Sequence, residues 1–335
     1  MRSPGSALKP FLYARAFADG RWSPDSILPD RPIERRGWRP QNFRGEWRGS
    51  VTVAEALRDS LNVPAIRLAE VLGVDLVART IEDCGVTLPG DAGGRGGLAV
   101  VTGALEVTLV DLVEGIATLA RGGVPLPATI WENETRRSRL PLPSVLPEFA
   151  CREVESILRV GGAYAGDPWW TAKTGTSARH RDAWAVGWNR RFAIGIWVGR
   201  LQGGGDPALV GAEVARPILD RAMATTPFAD RTPPRAIVPR VVPNPYVFRE
   251  ELPQLRIESP AEDATWLVAS GETIELRPSA AGGTPPYQWF LDGFPLEEGR
   301  LSLSGGVSEL RCVDAAGSAV QRTLSVRRRG SFDAP

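Results

Sequence analysis

Apolar residues recur every three to four positions through the first part of the chain, which is the period of an amphipathic helix. Several of these segments begin at a capping residue, such as the box formed by Thr52 and Glu55, or end at a glycine. The predicted helices cover residues 6–19, 52–59, 64–73, 75–84, 109–120 and 148–160. Residues 21–50 and the Gly-rich residues 90–97 lack this period and predict loops.

The period then shortens, and residues 169–177, 182–188 and 192–199 predict three strands. The links between them are only a few residues long, so neighbouring strands must run antiparallel. A helical pattern returns over residues 209–224. Helices, then a meander, then a helix predict an α+β domain in which helices pack on an antiparallel sheet.

Seven prolines between residues 226 and 254 predict a linker. Beyond it, short strands at regular spacing are separated by turns such as Thr284-Pro285-Pro286 and Asp292-Gly293. These strands cover residues 255–258, 264–269, 273–278, 287–291, 308–314 and 319–327. The pattern predicts a small all-β, immunoglobulin-like sandwich. The predicted organisation is therefore a domain over 1–226, a linker over 227–254 and a β-sandwich over 255–328.

Composition excludes several classes of function. The net charge of +1 gives no basic surplus for nucleic-acid binding. No run of 18 apolar residues predicts a membrane span. Cys84, Cys151 and Cys312 are far apart, so they predict isolated thiols rather than a metal site or a disulfide framework. The single histidine, His180, lies in a predicted turn and argues against a Ser-His-Asp triad.

The choice of basic residues is unusual. Of 40 Lys and Arg residues, only Lys9 and Lys173 are lysine. A lysine amine can lose its proton where an arginine guanidinium cannot. We therefore treat these two positions as candidate catalytic amines.

Lys9 lies in the sequence Ser6-Ala7-Leu8-Lys9. Residues three apart share a face of a helix, so the Ser6 hydroxyl and the Lys9 amine are expected to meet at a helix N-terminus. There the helix dipole lowers the pKa of an amine, and a neutral lysine can activate a serine. The alternative is a surface lysine beside a helix-capping serine.

Lys173 begins the sequence Lys173-Thr174-Gly175-Thr176-Ser177 in a predicted strand. A glycine here lets the backbone of a bound peptide approach, and the two threonines can donate to a carboxylate. The alternative is a lysine that protects an edge strand from aggregation. A third polar element, Ser60-Leu61-Asn62, lies between two predicted helices, where these residue types are also ordinary caps.

The three elements together form the ordered set S-x-x-K, S-x-N and K-T-G, a known signature of class A β-lactamases and penicillin-binding proteins. The chain resembles the class A penicillin-binding proteins, of the 1C type. The likeness is carried by PGSALKPFLYARAF (4–17), SLNVPAIRLAEVLG (60–73), AKTGTS (172–177) and RDAWAVGW…AIGIWVG (181–199). The C-terminal part resembles the small β-domain that ends this subfamily. The resemblance implies a transpeptidase-like sheet with helices that lacks its N-terminal part.

The resemblance implies a role for each motif. Ser6 is the nucleophile acylated by a peptidoglycan stem peptide ending in D-Ala-D-Ala, with Lys9 as its base. Ser60 passes a proton to the leaving amine, Asn62 holds the substrate amide, and Lys173 orients Ser60.

The same resemblance assigns substrate contacts. Thr174 and Thr176 bind the substrate carboxylate, beside Gly175, and the backbone N–H groups of Ser6 and Thr176 form the oxyanion hole. The acyl group passes to an amine on a neighbouring stem peptide. β-Lactams mimic the donor and acylate Ser6. No cofactor or metal is expected.

One departure from the family concerns the N-terminus, where only five residues precede Ser6. Class A members carry a membrane anchor, a glycosyltransferase domain and part of the central sheet before this point. We therefore expect a truncated start, with missing strands next to the K-T-G strand, which would leave that strand with an open edge. The chain alone is then expected to be unstable or inactive. The family acts at the periplasmic face of the bacterial inner membrane, with an anchor outside this chain.

Two rival interpretations remain at this point. A serine β-lactamase or D,D-carboxypeptidase would share the motifs but pass the acyl group to water. An inactive fragment could serve as a cell-wall scaffold that binds a protein partner through its β-domain, where Trp289 and Phe290 lie in an apolar strand. Five tryptophans, Trp169, Trp170, Trp184, Trp188 and Trp197, are interpreted as sheet packing.

Overall fold

The structure is a computed structural model of the 335-residue chain. It describes residues 1–34, 38–90, 97–103, 105–127, 142–162, 166–225, 227–232, 242–243, 245–248, 255–262, 264–269, 271–283, 285–296, 299–315 and 317–328. Most of the Gly-rich stretch, much of the predicted linker, and Thr284 of the predicted turn lie outside these residues. The chain divides into two compact units, Met1–Phe248 and Arg249–Pro335.

The first unit contains seven α-helices among its described residues. They are α1 (Lys9–Asp19), α2 (Val53–Arg58), α3 (Asn62–Leu72), α4 (Val74–Asp83), α5 (Leu109–Ala120), α6 (Glu148–Ile157) and α7 (Arg216–Ala224). Short 3-10 turns cover Gly5–Leu8, Gly97–Thr102 and Ala178–His180, and a π-turn over Gly211–Ala215 leads into α7. The predicted helices therefore form, although the segment predicted over 148–160 ends its helix at Ile157 and continues as a strand.

Local sequence explains several helix ends. The predicted capping box is present, because the Thr52 side chain accepts from the N–H of Glu55 while the Glu55 carboxylate accepts from the N–H of Thr52. Thr108 caps α5 in the same way through the N–H of Asp111. Gly20 ends α1 with φ of 80°, a left-handed conformation that glycine adopts without strain.

The central sheet has the antiparallel order β3-β4-β5-β6. Its strands are β3 (Arg159–Gly161), β4 (Trp169–Thr176), β5 (Asp182–Trp188) and β6 (Ala193–Gly199). Gly175 lies opposite Trp184, and Trp184 lies opposite Trp197. The three predicted strands and their order are confirmed.

The sheet is covered on both faces. One face packs on α5 and the Gly5–Leu8 turn, and its Trp184, Val186 and Trp188 belong to the same apolar core as residues of α1, α3 and α4. The other face packs on α7 through Ala183 and Ala185. Helix α1 is buried along most of its length, with Phe11, Leu12 and Tyr13 fully inaccessible. Four of the five tryptophans are buried, and Trp197 is half-buried. Their interpretation as sheet packing holds.

The expectation that the K-T-G strand would have an open edge holds for part of its length. Strand β4 pairs with β5 along its length, but with β3 over Trp169–Thr171 only. Among the described residues, no strand pairs with Lys173–Thr176 on the side away from β5, and the Gly5–Leu8 turn packs against Gly175 and Thr176. In the described part of the sheet, β3 and β6 are the outer strands, and the seven residues of β6 are all half-buried.

The predicted loop over 21–50 contains an antiparallel pair, β1 (Ile27–Asp30) and β2 (Gly49–Thr52), with Leu28 opposite Val51. Each strand has four residues and β1 contains a proline, so neither shows a strand period in the sequence. Tyr246 and Phe248, within the predicted linker, pack on Trp22 and belong to the first unit.

The second unit is a small β-domain. Its main sheet has the order β12-β11-β14-β15-β8, with β8 parallel to β15, and two further pairs are β7–β10 and β9–β13. The strands are β7 (Arg256–Ser259), β8 (Thr265–Val268), β9 (Ile274–Leu276), β10 (Ser279–Ala281), β11 (Gln288–Leu291), β12 (Phe294–Pro295), β13 (Leu301–Leu303), β14 (Gly306–Val313) and β15 (Ala319–Arg328). The six predicted strands are present, and β10, β12 and β13 were missed. The immunoglobulin-like arrangement stays a prediction.

Candidate active site

The three motifs meet at the turn that joins α2 and α3. Lys9 Nζ donates to the carbonyl oxygens of Ser60 at 2.6 Å and Leu61 at 3.0 Å, and to Asn62 Oδ1 at 2.8 Å. Lys173 Nζ donates to Ser60 Oγ at 2.8 Å and to the carbonyl oxygen of Thr174 at 2.8 Å. Both lysines, the only two in the chain, therefore converge on one serine.

Burial sets the chemistry of these amines. Lys9 is fully buried and Lys173 is 3% exposed. A buried ammonium is costly unless oxygen atoms surround it, and the carbonyl and amide oxygens of the Ser60–Asn62 segment provide this environment for Lys9. The site thus holds two charged or chargeable groups inside the unit, each with hydrogen-bond partners.

The pKa values of both amines are lowered. Burial lowers the pKa of Lys173 to about 7, with the nearby positive charge of Arg216 acting in the same direction. Burial also holds the pKa of Lys9 well below its usual range, with Lys173 as a second cause. Lys173 can therefore change protonation near neutral pH, and Lys9 loses its proton more readily than an exposed lysine, which an arginine in either position could not do.

Ser60 has a strained backbone. Its φ is 58°, in the left-handed region that non-glycine residues rarely adopt. Such a conformation costs on the order of 1 kcal/mol or more and persists only where the surroundings impose it. Here it turns both the carbonyl oxygen and the hydroxyl of Ser60 toward the lysines, so the strain lies at the centre of the site.

Asn62 is held by a residue that sequence reasoning missed. Asn42 Oδ1 accepts from the N–H groups of Asn62 at 2.9 Å and Val63 at 3.2 Å, at the start of α3. Asn42 Nδ2 donates to the buried carboxylate of Asp30 at 2.8 Å. The Asn62 side chain also donates to the carbonyl oxygen of Gln41 at 2.8 Å. Asn42 lies in an aperiodic loop, and no motif marks it.

Glycines allow the backbone of the Ser6 turn to pack directly against β4. A Cβ on Gly175 would overlap the carbonyl oxygen of Pro4, and a Cβ on Gly5 would overlap the backbone of Thr176. Gly103 touches the backbone of Gly5 in the same manner. Backbones at this separation exclude any side chain, so Gly175 serves close packing within the chain, where the sequence predicted room for a bound peptide.

Alternate N–H groups of β4 point toward the edge of the strand that lies away from β5. The N–H of Ser177 bonds to Asp182 on the β5 side, while that of Ala172 bonds to Leu158 on the other side. Because N–H groups alternate along a strand, those of Thr174 and Thr176 point away from β5. Thr176 Oγ1 accepts from the N–H of Gly211 at 3.0 Å, which leaves its own proton free to donate.

Ser6 lies in the 3-10 turn Gly5–Leu8, and Lys9 begins α1, so the two do not share one regular helix as predicted. Ser6 is half-buried. Within the part of the chain that the structure describes, no hydrogen bond ends on Ser6 Oγ, and Lys9 Nζ bonds to the Ser60–Asn62 segment instead.

Other chemistries have little support among the described residues. No group of three or more His, Cys, Asp or Glu is arranged there to hold a metal ion. Cys84, Cys151 and Cys312 are buried free thiols. None of the described helices combines the length and apolarity that a bilayer crossing demands.

Comparison with known proteins agrees with this geometry. Residues 1–220 match the penicillin binding protein transpeptidase domain family, and residues 247–326 match the penicillin-binding protein C-terminus family. The chain is 32% identical over 226 residues to penicillin-binding protein 1C of Escherichia coli, covering 66% of this chain and 29% of that protein. It is 28% identical over 225 residues to penicillin-binding protein 1A of Neisseria flavescens, covering 59% and 28%. The chain thus spans less than a third of these relatives.

Solved structures show the same fold. The penicillin-binding protein PonA1 of Mycobacterium tuberculosis superposes with a TM-score of 0.58 at 22% identity, covering 74% of this chain and 75% of that one. PonA1 has also been solved in complex with penicillin V, with a TM-score of 0.54 at 22% identity over 70% of this chain and 73% of that one. From its motifs, its fold and the match over residues 1–220, the chain belongs to the penicillin-binding protein transpeptidase family.

Proposed function

We propose that this chain is a serine D,D-transpeptidase that cross-links peptidoglycan stem peptides through an acyl-enzyme on Ser6. The observation that carries the proposal is the convergence of two buried lysine amines on Ser60, beside the turn that holds Ser6. Neighbouring amines of lowered pKa are suited to moving protons between serine hydroxyls near neutral pH. A structural role alone gives no reason to bury two lysines together.

In the acylation step, Ser6 Oγ attacks the carbonyl carbon between the two terminal D-Ala residues. As a neutral amine Lys9 donates only two of its three short hydrogen bonds, and its lone pair takes the proton of Ser6. Ser60 gives its proton to the leaving amine and takes the former Ser6 proton from Lys9, whose Nζ lies 3.5 Å from Ser60 Oγ. The C–N bond breaks, free D-Ala departs, and an ester on Ser6 remains.

The substrate carboxylate binds the hydroxyls of Thr174 and Thr176, near the positive end of Lys173. The Nδ2 of Asn62 has a second proton besides the one given to Gln41, and this proton holds the substrate amide. The backbone N–H groups of Ser6 and Thr176 form the oxyanion hole. The outward direction of the Thr176 N–H supports its part in this hole.

The ester then reacts with an amine of a second stem peptide, which forms a new amide and frees Ser6. Transfer to water instead would make the chain a D,D-carboxypeptidase or a β-lactamase. β-Lactams bind as donor mimics, as the structure of PonA1 with penicillin V supports. The cross-linking acceptor lies in the cell wall, so the proposed place of action is the periplasmic face of the bacterial membrane.

In this proposal residues 1–226 perform the chemistry, and residues 255–328 form a separate β-domain joined by the segment 227–254. The expectation that the chain alone is inactive depended on missing strands beside the K-T-G strand, and the described sheet nevertheless places β4 between β3 and β5. Activity of the 335-residue chain is therefore part of the proposal. A protein partner for the β-domain stays a prediction.

The test supplies a donor peptide ending in D-Ala-D-Ala and an amine acceptor, and follows free D-Ala and the joined product. We expect both products from the unmodified chain and from a Ser50→Ala control, which changes an exposed serine. Ser6→Ala should yield neither. Release of D-Ala without the joined product would favour a carboxypeptidase, and no release would favour an inactive scaffold.

A further inference from the structure

An aromatic contact joins two segments that flank the candidate site, the loop that supports Asn62 (the S-x-N wall) and the turn that follows β4 (the K-T-G wall). The ring of Phe43 stacks on the imidazole of His180, with centroids 5.9 Å apart and planes 28° from parallel. Phe43 follows Asn42, which holds the S-x-N wall, and His180 follows β4, the K-T-G wall. Neither residue belongs to a motif, and the Phe43 residue remains 63% exposed.

Both sides of this contact are anchored. On the S-x-N side, Asn42 is fixed by Asp30 and by the carbonyl oxygen of Glu46 at 2.8 Å. On the K-T-G side, His180 Nδ1 lies 3.0 Å from the carbonyl oxygen of Pro207, and the His180 carbonyl oxygen accepts from Asp206 at 2.9 Å. His180 has φ of 52°, so its ring position is imposed by the turn.

The expected path of the donor peptide leads to this contact. The carboxylate binds near Thr174 and the scissile carbonyl lies near the N–H of Thr176, so the donor runs antiparallel to β4. Residues upstream of the scissile bond then pass Ser177 and approach the Ala178–His180 turn. Two terminal residues end before this turn, whereas a longer stem must meet it, because each extended residue spans about 3.3 Å.

We propose that Phe43 and His180 form a subsite that recognises the donor stem upstream of its two terminal residues. This inference rests on the proposed function, since that function fixes the direction of the donor. The stacked rings give a flat, exposed apolar surface that suits the aliphatic part of an extended peptide. The pair therefore determines preference for long donors and leaves the chemistry at Ser6 unchanged.

The test compares two ligands, acetyl-D-Ala-D-Ala and a pentapeptide stem that ends in D-Ala-D-Ala. Their Kd values are measured by calorimetry in a Ser6→Ala background, where no acylation occurs. Phe43→Ala and His180→Asn remove one ring each, and asparagine tolerates the positive φ of position 180. Trp47→Ala, an exposed aromatic residue of the same loop, is the matched control.

We expect each ring removal to weaken binding of the pentapeptide about tenfold, equivalent to about 1.4 kcal/mol, and to change binding of the acetylated dipeptide less than twofold. The control substitution Trp47→Ala should change the Kd of neither ligand. Equal weakening of both ligands, or no weakening of the pentapeptide, would overturn the proposed subsite.

Penicillin acylation of the variants with Ser6 intact separates the two proposals. If acylation is normal and ring removal does not weaken the pentapeptide more than the dipeptide, the subsite alone is refuted. If ring removal weakens the pentapeptide selectively but the parent chain is not acylated, the proposed chemistry is refuted and the subsite is supported.

Discussion

The two units of the chain use the same residue types for different purposes. In the first unit, Gly5, Gly103 and Gly175 lie where backbones touch, and a Cβ on any of them would overlap main-chain atoms. In the second unit, a Cβ on Gly293 or Gly317 would meet open space, and these glycines serve turns. Gly5, Gly103 and Gly175 are therefore part of the packing of the candidate site, whereas Gly293 and Gly317 are part of connections.

Buried charge shows the same contrast. The first unit buries Lys9, Lys173, Asp30 and Asp182, each with hydrogen-bond partners. Among the described residues of the second unit, Asp314 is the single buried charged residue, and the core is apolar. Burial of charge costs stability. We infer that the first unit accepts this cost because the buried groups serve the candidate site.

The substitution with the largest expected effect on the first unit, and the strongest test of its contrast with the second, is Gly175→Ala. A Cβ at this position displaces the backbone of Pro4, which must move the Ser6 turn away from β4. We expect penicillin acylation to fall below detection and the first unit to lose on the order of 3 kcal/mol of stability. Gly293→Ala in the second unit should cost about 1 kcal/mol through its positive φ and leave acylation unchanged. Acylation that survives Gly175→Ala would disprove the close packing.

Lys173→Arg tests whether the amine itself is needed. Arginine keeps the positive charge but cannot lose it, and its larger head must displace Ser60 or Thr174. We expect the acylation rate constant to fall about 10³-fold, within the range attributed to positioned acid–base groups. The reverse exchange Arg256→Lys, at an exposed ion pair of the second unit, serves as control and should have no effect. A less than tenfold loss for Lys173→Arg would contradict the assignment.

Asn42→Ala tests the support behind the motif residues. It leaves the N–H groups of Asn62 and Val63 and the carboxylate of Asp30 without their present partner. We expect a loss of about 2 kcal/mol in the free energy of unfolding, and slower acylation because Asn62 is less well held. Chemical denaturation and penicillin labelling measure the two effects. Unchanged values for both would show that the loop does not hold the site.

The smallest effect is a pH dependence of stability. The pKa of Lys173 is about 7 in the folded chain and about 10.4 when unfolded. Between these values the unfolded chain binds more protons, so stability rises with pH, by up to about 1.4 kcal/mol per pH unit. Below pH 7 this rise is absent, because the amine is protonated in both states.

Denaturation of the first unit at pH 7.5 and 8.5 checks this dependence. The rise should shrink in Lys173→Met, while Lys9 continues to contribute in the same direction. The second unit contains no lysine and should not show the lysine-dependent rise. An identical rise in the parent chain and the variant would contradict the lowered pKa of Lys173.

Much of the fold could be predicted from sequence because local signals agreed with it. The capping box at Thr52, the terminal Gly20 and the short links of the meander each have a direct physical meaning. The pair of β1 and β2 could not be predicted, since its paired residues are 19 to 25 positions apart in the sequence and each strand is too short for a period. The pairing of β3 with the start of β4 could not be predicted, because a list of strands does not give their order.

The motif residues could be chosen from the sequence because two lysines stood out among arginines. Their arrangement could not, since Lys9 was expected to meet Ser6 and instead bonds to the Ser60–Asn62 turn. The left-handed Ser60, the support from Asn42 and the Phe43–His180 contact depend on tertiary packing. No spacing in the sequence marks these features.

The central claim is that Ser6 is the nucleophile and that the lysine amines around Ser60 make it one. Incubation with penicillin, followed by mass spectrometry of the peptide that carries Ser6, tests this most directly. We predict one penicillin adduct per chain on Ser6, none in Ser6→Ala, and a strongly slowed adduct in Lys173→Arg. No adduct on the parent chain, or an adduct on another residue, would contradict the account.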